Sequence, residues 1–189
     1  MTLRLNGSTS GYTEIDAPAV AGSNTLVLPT SNGSSGQVLS TNGSGALSWI
    51  GAGKILQVVS ATYSTEVSTT STSRVTSGLT ASIKPTSSSN KVLILIATPV
   101  GRNSGNTNNG LLASIYRGGS TIQDWDVPFA WTNTDINFRH MLNFSYVDSP
   151  STTSLTSYTL YFASNVSGQT VSTQTTNRMG SIILMEVAA

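Results

Sequence analysis

The chain contains no cysteine and a single histidine, His140, among its 189 residues. The lack of cysteine excludes disulfide bridges, thiolate metal sites and a cysteine nucleophile. One histidine excludes any metal site with two or more histidine ligands. A serine–histidine–acid triad would have to use His140, but no nucleophile-elbow glycine pattern is present and His140 falls on the aromatic face of a strand pattern. We therefore expect no enzyme, no metal and no cofactor, and a hydrogen-bonded His140 in the interior or at a subunit interface.

Charge is also scarce, with nine basic and eight acidic residues and a net charge of +1. The lysines and arginines are scattered singly, so the chain has no basic patch for nucleic acid. The longest apolar run, Val92–Ala97, is far shorter than the ~20 residues of a membrane span. The first residues lack the apolar core of a secretion signal. These features predict no nucleic-acid partner, no membrane insertion and assembly in a cytoplasm.

Small polar residues are abundant: 31 serines, 27 threonines and 14 asparagines. Net charge near zero and plentiful apolar residues predict a folded chain and not a disordered one. No apolar period of 3.6 residues persists, whereas β-branched residues are common throughout. The sequence therefore predicts an all-β fold.

Residues 24–50 alternate short apolar groups with turns at Asn32-Gly33 and Asn42-Gly43. Asn-Gly is a strong turn signal because both residues accept a positive φ. Strands this short cannot bury a core, and a lone hairpin is marginal in water. The segment is therefore expected to become ordered only against copies of itself or against a partner.

A change in composition near Gly51–Gly53 predicts two parts, residues 1–52 and residues 53–189. Only three charged residues lie in the first part, whereas most aromatic residues lie in the second. The spacing of strands and turns in the second part predicts a sandwich or jelly roll. The predicted strands are Ile55–Ala61, Ser73–Thr76, Leu79–Lys84, Lys91–Val100, Gly110–Arg117, Thr121–Gln123, Phe138–Val147, Ser157–Asn165, Thr170–Thr173 and Gly180–Val187.

Three of these strands, Val92–Ile96, Tyr158–Phe162 and Ile182–Met185, are apolar on both faces, whereas the strand at 138–147 has one polar face. A two-sheet sandwich buries only one face of each sheet. A loop over a central strand would explain the pattern, but self-association explains it more simply, and a three-fold assembly suits a fibre axis. The predicted trimer-interface residues are Tyr158, Leu160, Tyr161, Phe162, Leu47 and Trp49.

The run Gly36–Trp49, preceded by Tyr12–Ala19 and by Asn24-Thr-Leu-Val-Leu-Pro, resembles the shaft segment of bacteriophage fibre proteins. The resemblance is strongest to phages of aquatic bacteria such as cyanobacteria. The remainder more loosely resembles the trimeric jelly-roll heads of the C1q and tumour-necrosis-factor kind. The resemblance implies a homotrimer with an N-terminal attachment arm, a short intertwined β-stem and a C-terminal knob. It also implies that residues 1–30 dock on another virion protein, of the tail, the baseplate or the capsid.

Trp125, Phe129 and Trp131 lie within seven residues of one another, interleaved with Asp124 and Asp126. Aromatic plates with adjacent polar groups bind sugars, but large aromatics also fill the ends of a jelly roll, and both interpretations remain open. Pro128 predicts that this segment is a loop. The aspartates would also suit glycoside hydrolysis or calcium binding, although solvated loop acids are the simpler interpretation.

The glycine- and asparagine-rich segment at 101–110 predicts a second loop, with Arg102 and Asn103 as its contact candidates. The glycan-binding candidates are thus Trp125, Trp131, Asp124, Asp126, Arg102 and Asn103. The sequence favours a non-enzymatic virion fibre or spike that presents a knob to a host-surface glycan. The alternative with the same architecture is a head fibre or decoration protein that stabilises the capsid. A glycan depolymerase is disfavoured because carboxylates are few and long β-helical repeats are absent.

Overall fold

The computed structural model describes residues 3–20, 22–51, 53–102 and 108–189. Within these residues it contains fourteen β-strands, one short 3-10 turn and no α-helix, so the predicted all-β class is confirmed. The described part of the chain has no helix with the length and apolarity that a membrane crossing requires. The chain divides into two compact units, residues 1–53 and residues 54–189.

The first unit consists of two antiparallel hairpins, β1 (Leu3–Asn6) with β2 (Tyr12–Ile15) and β3 (Gln37–Thr41) with β4 (Leu47–Gly51). The turn of the second hairpin is built by Asn42, whose Oδ1 accepts the backbone N–H of Ser44 (2.9 Å) and of Ala46 (3.2 Å). The asparagine side chain thereby supplies a hydrogen-bond acceptor to two backbone N–H groups that have no partner strand in the turn. The turn therefore lies where the Asn-Gly signal predicts it.

No described residue of the first unit is buried. Large apolar side chains such as Leu26, Leu28 and Ile50 are 67%, 68% and 46% exposed. Trp49 is half-buried because its indole N–H donates to the carbonyl of Ser31 (2.8 Å) and its ring packs over Gly33, where a Cβ would lie 2.6 Å from the ring. The hairpins therefore hold local hydrogen bonds, the packing of Trp49 over Gly33 and a contact of Arg4 with the Tyr12 ring at 3.6 Å, but no hydrophobic core.

The second unit is a sandwich of two antiparallel sheets in which strands distant in the sequence lie side by side, as in a jelly roll. One sheet has the order β10-β9-β12-β7. The other has the order β5-β14-β8-β11. The short strand β13 pairs with the end of β8 on the same side as β14, and β6 pairs with β13. The strands are β5 (Ile55–Tyr63), β6 (Val67–Thr69), β7 (Val75–Ile83), β8 (Lys91–Arg102), β9 (Asn109–Arg117), β10 (Ser120–Thr132), β11 (Phe138–Asp148), β12 (Thr156–Ser164), β13 (Val171–Thr173) and β14 (Gly180–Val187).

Strand β7 joins two strands that the sequence predicts separately, Ser73–Thr76 and Leu79–Lys84. Gly78 lies between them with φ of +78°, which is a conformation that glycine adopts without steric cost. A Cβ there would lie 2.5 Å from the ring of Tyr63. The pairing with β12 shifts register at this point, so the glycine marks a bulge inside one strand and not a turn between two.

Strand β10 corrects a second prediction, because residues 124–132 continue the strand and do not form a loop. The segment pairs with β9 despite Pro128, since two register shifts between Trp125 and Thr132 remove the proline from the regular hydrogen-bond ladder. Ala130 takes a φ of +52° in the same stretch. Proline is tolerated in a strand at such bulges, and β10 lies at the edge of its sheet.

The hydrophobic core lies between the two sheets and is formed by the inward side chains of both. Strand β11 shows the alternation expected from the sequence, since Leu142 and Phe144 are buried while Asn143 and Ser145 are exposed. His140 is exposed in the single chain, which contradicts its placement in the interior. It is the third residue of β11 and lies opposite Val100 of β8.

Glu186 is a buried carboxylate held by neutral donors. It accepts hydrogen bonds from the Asn90 amide (2.7 Å), the Gln57 amide (2.6 Å) and both the backbone N–H and the hydroxyl of Thr86 (2.6 and 2.8 Å). Burial raises the pKa of this carboxyl, but the hydrogen bonds from Asn90, Gln57 and Thr86 outweigh burial and lower its pKa to about 2. Glu186 on β14 thereby fixes the connection between β7 and β8 to the sheet.

This arrangement predicts a loss of stability in acid. The folded pKa lies below the ordinary value of 4.5, so the stabilisation is complete above pH 4.5 and is lost as the pH falls toward 2. The shift corresponds to about 3 kcal/mol in the free energy of unfolding. Urea unfolding between pH 2.5 and pH 7 should show this fall in the parent chain, whereas Glu186→Gln should be less stable at pH 7 and should lose less stability across the window.

Asp126→Asn serves as the control, because the Asp126 side chain is 89% exposed. This variant should keep the acid dependence of the parent. Equal pH slopes for the parent and for Glu186→Gln would contradict the role assigned to Glu186.

Candidate functional site

The aromatic and acidic residues predicted to form one site point to opposite faces of the β10-β9-β12-β7 sheet. Trp125 packs inward, stacked on Phe144 with ring centroids 4.7 Å apart. Phe129 meets the same ring edge-on at 5.1 Å. The strand alternation that turns these rings inward turns Asp124 and Asp126 outward. Trp125 therefore belongs to the packing of the sandwich, and the predicted Trp125–Asp124 sugar site does not exist as one surface.

Asp124 forms an ion pair on the outer face. Its carboxylate accepts hydrogen bonds from Arg74 (2.5 Å) and from the hydroxyl of Ser114 (2.7 Å), and Arg74 Nε also donates to Ser114. Burial raises the pKa of Asp124, but the hydrogen bonds from Arg74 and Ser114 outweigh burial and lower it below its usual range. Asp126 lies 4.0 Å from Arg74 and is almost fully exposed. Asp126 is thus the freer of the two carboxylates for an external hydroxyl.

Two tyrosines complete this outer face. Tyr161 is directly opposite Ser114 across the β12–β9 ladder, and Ser114 is opposite Asp124 across the β9–β10 ladder. Tyr116 stacks on Tyr161 with ring centroids 3.9 Å apart and an angle of 21° between the planes. We call this surface the tyrosine face: Tyr116, Tyr161, Arg74, Asp124 and Asp126. Sequence reasoning missed Tyr116 and Arg74 because only strand pairing brings these distant segments together.

The tyrosine face combines an aromatic pair with an arginine and two carboxylates. The C–H surface of a sugar ring packs on an aromatic ring, and its hydroxyls pair with charged and hydroxyl groups beside it. Trp131 is 49% exposed but lies on the irregular end of β10. The tyrosine face therefore carries side chains of the types that contact saccharides, and Tyr116, Tyr161 and Arg74 are not among the predicted glycan contacts.

Arg102 is not a surface residue, which corrects its prediction as a glycan contact. Its side chain is 1% exposed, and its guanidinium donates to the carbonyl oxygens of Asn109 (3.3 Å), Thr132 (3.2 Å) and Thr134 (2.5 Å). Burial lowers its pKa, which the nearby charge of Asp135 partly offsets. Arg102 thus joins the ends of β8, β9 and β10 from inside. Its predicted partner Asn103 lies outside the described residues.

Three of the predicted trimer-interface residues, Tyr158, Leu160 and Phe162, are at most 1% exposed in the core of their own chain. Tyr158 also donates to Asp148 (2.7 Å), which accepts from Arg117 (2.8 Å). These three side chains have no surface left for a second copy, so the prediction is wrong for them. The reason is the alternation of side chains along β12, which places Tyr161 on the outer face and the other three predicted residues of this strand in the core. Leu47 and Trp49 are half-buried in the first unit.

The outer face of the other sheet is apolar at its centre. One row across β5, β14, β8 and β11 consists of Val58, Met185, Leu93 and Val147. The next row consists of Ser60, Ile183, Leu95 and Ser145. We call these eight positions the apolar patch. None of them is charged, and Val58 and Val147 are 57% and 51% exposed.

The described residues contain no group of three or more histidine, aspartate or glutamate side chains placed to hold a metal ion. Among the carboxylates, Glu186, Asp148 and Asp124 are bonded within the chain, and Asp126 lies beside the same arginine as Asp124. The residues that the structure brings together are therefore suited to packing and surface contact.

No family model and no curated protein matches this chain. Among solved structures, the VP2 subviral particle of infectious bursal disease virus is similar over 76% of this chain and 40% of that chain, with 16% identity and a TM-score of 0.43. The T13 particle of the same virus covers 93% of this chain and 37% of that chain, with 16% identity and a TM-score of 0.45. Latent PorU from Porphyromonas gingivalis covers 71% of this chain and 13% of that chain, with 12% identity and a TM-score of 0.36.

The chain thus spans less than half the length of these proteins. At these identities and TM-scores the likeness assigns neither a family nor a function. Any functional conclusion depends on the geometry of the chain itself.

The inward position of Trp125 predicts a stability effect in place of a binding effect. Trp125→Ala removes the ring stacked on Phe144 and should lower the free energy of unfolding by about 3 kcal/mol. Trp131→Ala, the control, removes a half-exposed ring and should change the free energy of unfolding by less than about 1 kcal/mol. Urea denaturation followed by tryptophan fluorescence measures both, and a Trp125→Ala variant as stable as the parent would contradict the packing role.

Proposed function

We propose that this protein is a non-enzymatic structural component of a virion, a homotrimeric bacteriophage fibre or spike that presents its second unit as a knob. The observation that supports this most strongly is the apolar patch, an uncharged surface across four strands of the jelly-roll-like sandwich. Contiguous exposed apolar surface on a soluble protein marks an interaction site. In a trimer with three-fold symmetry, the patch of each copy would face the axis and would be covered by the patches of the other two copies, without any other partner.

The first unit supports the same proposal independently. Its described residues include no buried side chain, although its sequence carries many leucines, valines and isoleucines. Winding three copies into a stem would bury these side chains, with Leu47 and Trp49 as central contacts. Residues 1–30 would then attach the stem to another virion protein, of the tail or of the capsid.

Host adhesion is the role we propose for the knob, with the tyrosine face as the surface that contacts host glycan. A single shallow surface binds a saccharide weakly, but three copies in each trimer and many trimers in each virion multiply the affinity.

Trimerisation is tested with the full chain by size-exclusion chromatography with light scattering. The parent should have three times the 19.7 kDa mass of the chain. The double variant Val58→Asp, Val147→Asp should shift toward the monomer, because two carboxylates in each copy would be desolvated at the interface.

Leu155→Asp is the matched control, since Leu155 is an exposed leucine outside the apolar patch. It should remain trimeric. A monomeric parent, or a double variant that stays trimeric, would contradict the assembly that we propose.

Adhesion is tested by the adsorption rate of virions that carry Tyr161→Ala. Loss of the stacked ring should slow adsorption by about tenfold, because a deficit of about 1 kcal/mol at each site is multiplied over several knobs. Leu155→Ala should leave adsorption unchanged. Unaltered adsorption of intact Tyr161→Ala virions would rule out the tyrosine face and favour a capsid-decorating role.

A further inference from the structure

The tyrosine face carries more negative than positive charge. Its four strands, β7, β9, β10 and β12, contain three charged residues, Arg117, Asp124 and Asp126, and Arg74 directly precedes β7. Arg117 is bonded elsewhere, because its guanidinium donates to both carboxylate oxygens of Asp148 on β11 (3.0 and 2.8 Å). One arginine and two aspartates remain on the face, which leaves a surplus of one negative charge.

The positive charge of Arg74 is largely taken up within the chain. Its side chain is 13% exposed, and its guanidinium donates to the Ser114 hydroxyl (2.5 Å) and to the Asp124 carboxylate (2.5 Å). An anionic ligand would have to compete with Asp124 for the same guanidinium. Arg74 therefore offers little of its charge to a ligand.

The carboxylate of Asp126 is open to solvent. Its side chain is 89% exposed, and its nearest oxygen lies 4.0 Å from the Arg74 guanidinium, which is longer than a hydrogen bond. The Asp124 side chain is 47% exposed beside it. Hydrogen bonds between an ammonium and a carboxylate are stronger than those between neutral groups. The face is therefore better suited to an external cation than to an external anion.

The carboxylates and the tyrosine rings lie within reach of one small ligand. Tyr161, Ser114 and Asp124 form one row across β12, β9 and β10. Neighbouring strands are about 4.8 Å apart, so the backbones of Tyr161 and Asp124 are about 10 Å apart, which is the length of a disaccharide. Asp126 lies beside Asp124, because both carboxylates approach the same nitrogen of Arg74.

The strand partners of the two tyrosines are uncharged. Thr76 lies opposite Tyr161, and Thr159 and Thr121 lie opposite Tyr116 on its two sides. Threonine hydroxyls both donate and accept hydrogen bonds, as the hydroxyls of a sugar do. These neighbours can therefore contact a saccharide, but they supply no cation for an acidic one.

We propose that the tyrosine face binds saccharides that carry a protonated amine, with the ammonium group on Asp126 and a sugar ring against Tyr161 and Tyr116. This inference names the ligand class for the adhesion role proposed above, and it rests on that role. The tyrosine rings act in the same direction, because the face of an aromatic ring attracts a cation. An exposed ion pair changes affinity by up to about fivefold, so neutral saccharides should bind more weakly and acidic ones most weakly.

The test is binding of the full chain to three immobilised tetrasaccharides, measured by surface plasmon resonance at pH 5.5, where the sugar amine is protonated. The glucosamine tetramer is cationic, the N-acetylglucosamine tetramer has the same backbone without charge, and the galacturonic acid tetramer is anionic. The parent should bind the glucosamine tetramer about fivefold more tightly than the acetylated one, and the anionic tetramer least. Sodium chloride at 1 M should remove the difference, because it screens exposed charges.

Three variants separate charge from stacking. Asp126→Asn should bind the two glucosamine-based tetramers equally and should keep the Kd of the parent for the acetylated one. Glu14→Gln is the matched control, since it removes the same charge from the first unit, and it should keep the fivefold difference. Tyr161→Ala should weaken binding of both tetramers by a similar factor. Circular dichroism establishes that each variant is folded before its Kd is compared.

Equal binding of the two glucosamine-based tetramers by the parent, or tightest binding of the anionic one, would overturn the inference. A preference that persists in Asp126→Asn, or that is lost equally in Glu14→Gln, would overturn it as well. In these cases slow adsorption of Tyr161→Ala virions would still support the adhesion role. If no tetramer binds, the inference fails, and normal adsorption of Tyr161→Ala virions would show that the adhesion role fails with it.

Discussion

Strands β8 and β14 carry apolar side chains on both faces, and a two-layer sandwich buries only one of them. Ile94 and Leu184 point inward and are fully buried, whereas Leu93 and Met185 point outward and remain half-buried. The inward set forms the core together with the β10-β9-β12-β7 sheet. The outward set is the origin of the apolar patch, so one strand pair contributes both to the core of the second unit and to its exposed apolar surface.

The polar features are arranged around this pair. Glu186, at the end of β14, fixes the connection between β7 and β8 with four hydrogen bonds from neutral donors. Arg102, at the end of β8, binds carbonyl oxygens at the opposite end. Each is a buried charge whose desolvation is offset by directed hydrogen bonds. These contacts stabilise the ends of the central strands, while packing of apolar side chains in the core stabilises their central residues.

The candidate site was predictable only in part. Asp124 and Asp126 were predicted as contact residues because they lie beside aromatic residues in the sequence. That β10 continues through Pro128 could not be predicted, because the bulges that accommodate the proline depend on pairing with β9. Once that strand exists, alternation separates Trp125 from Asp124. Tyr116 and Arg74 had no local signal at all, since their partners lie about 45 and 50 residues away along the chain.

The sequence by itself determined the all-β class, the turn at Asn42, the polar outer face of β11 and the apolar residues on both faces of the central strands. These depend on local propensity and on the two-residue period of a strand, both of which act between near neighbours. Tertiary structure decided which apolar residues are core and which are surface, so Tyr158, Leu160 and Phe162 became interior while Val58 and Val147 stayed exposed. It also brought Arg74 and Asp124 together beside Ser114, because strand pairing joins residues that are distant in the sequence.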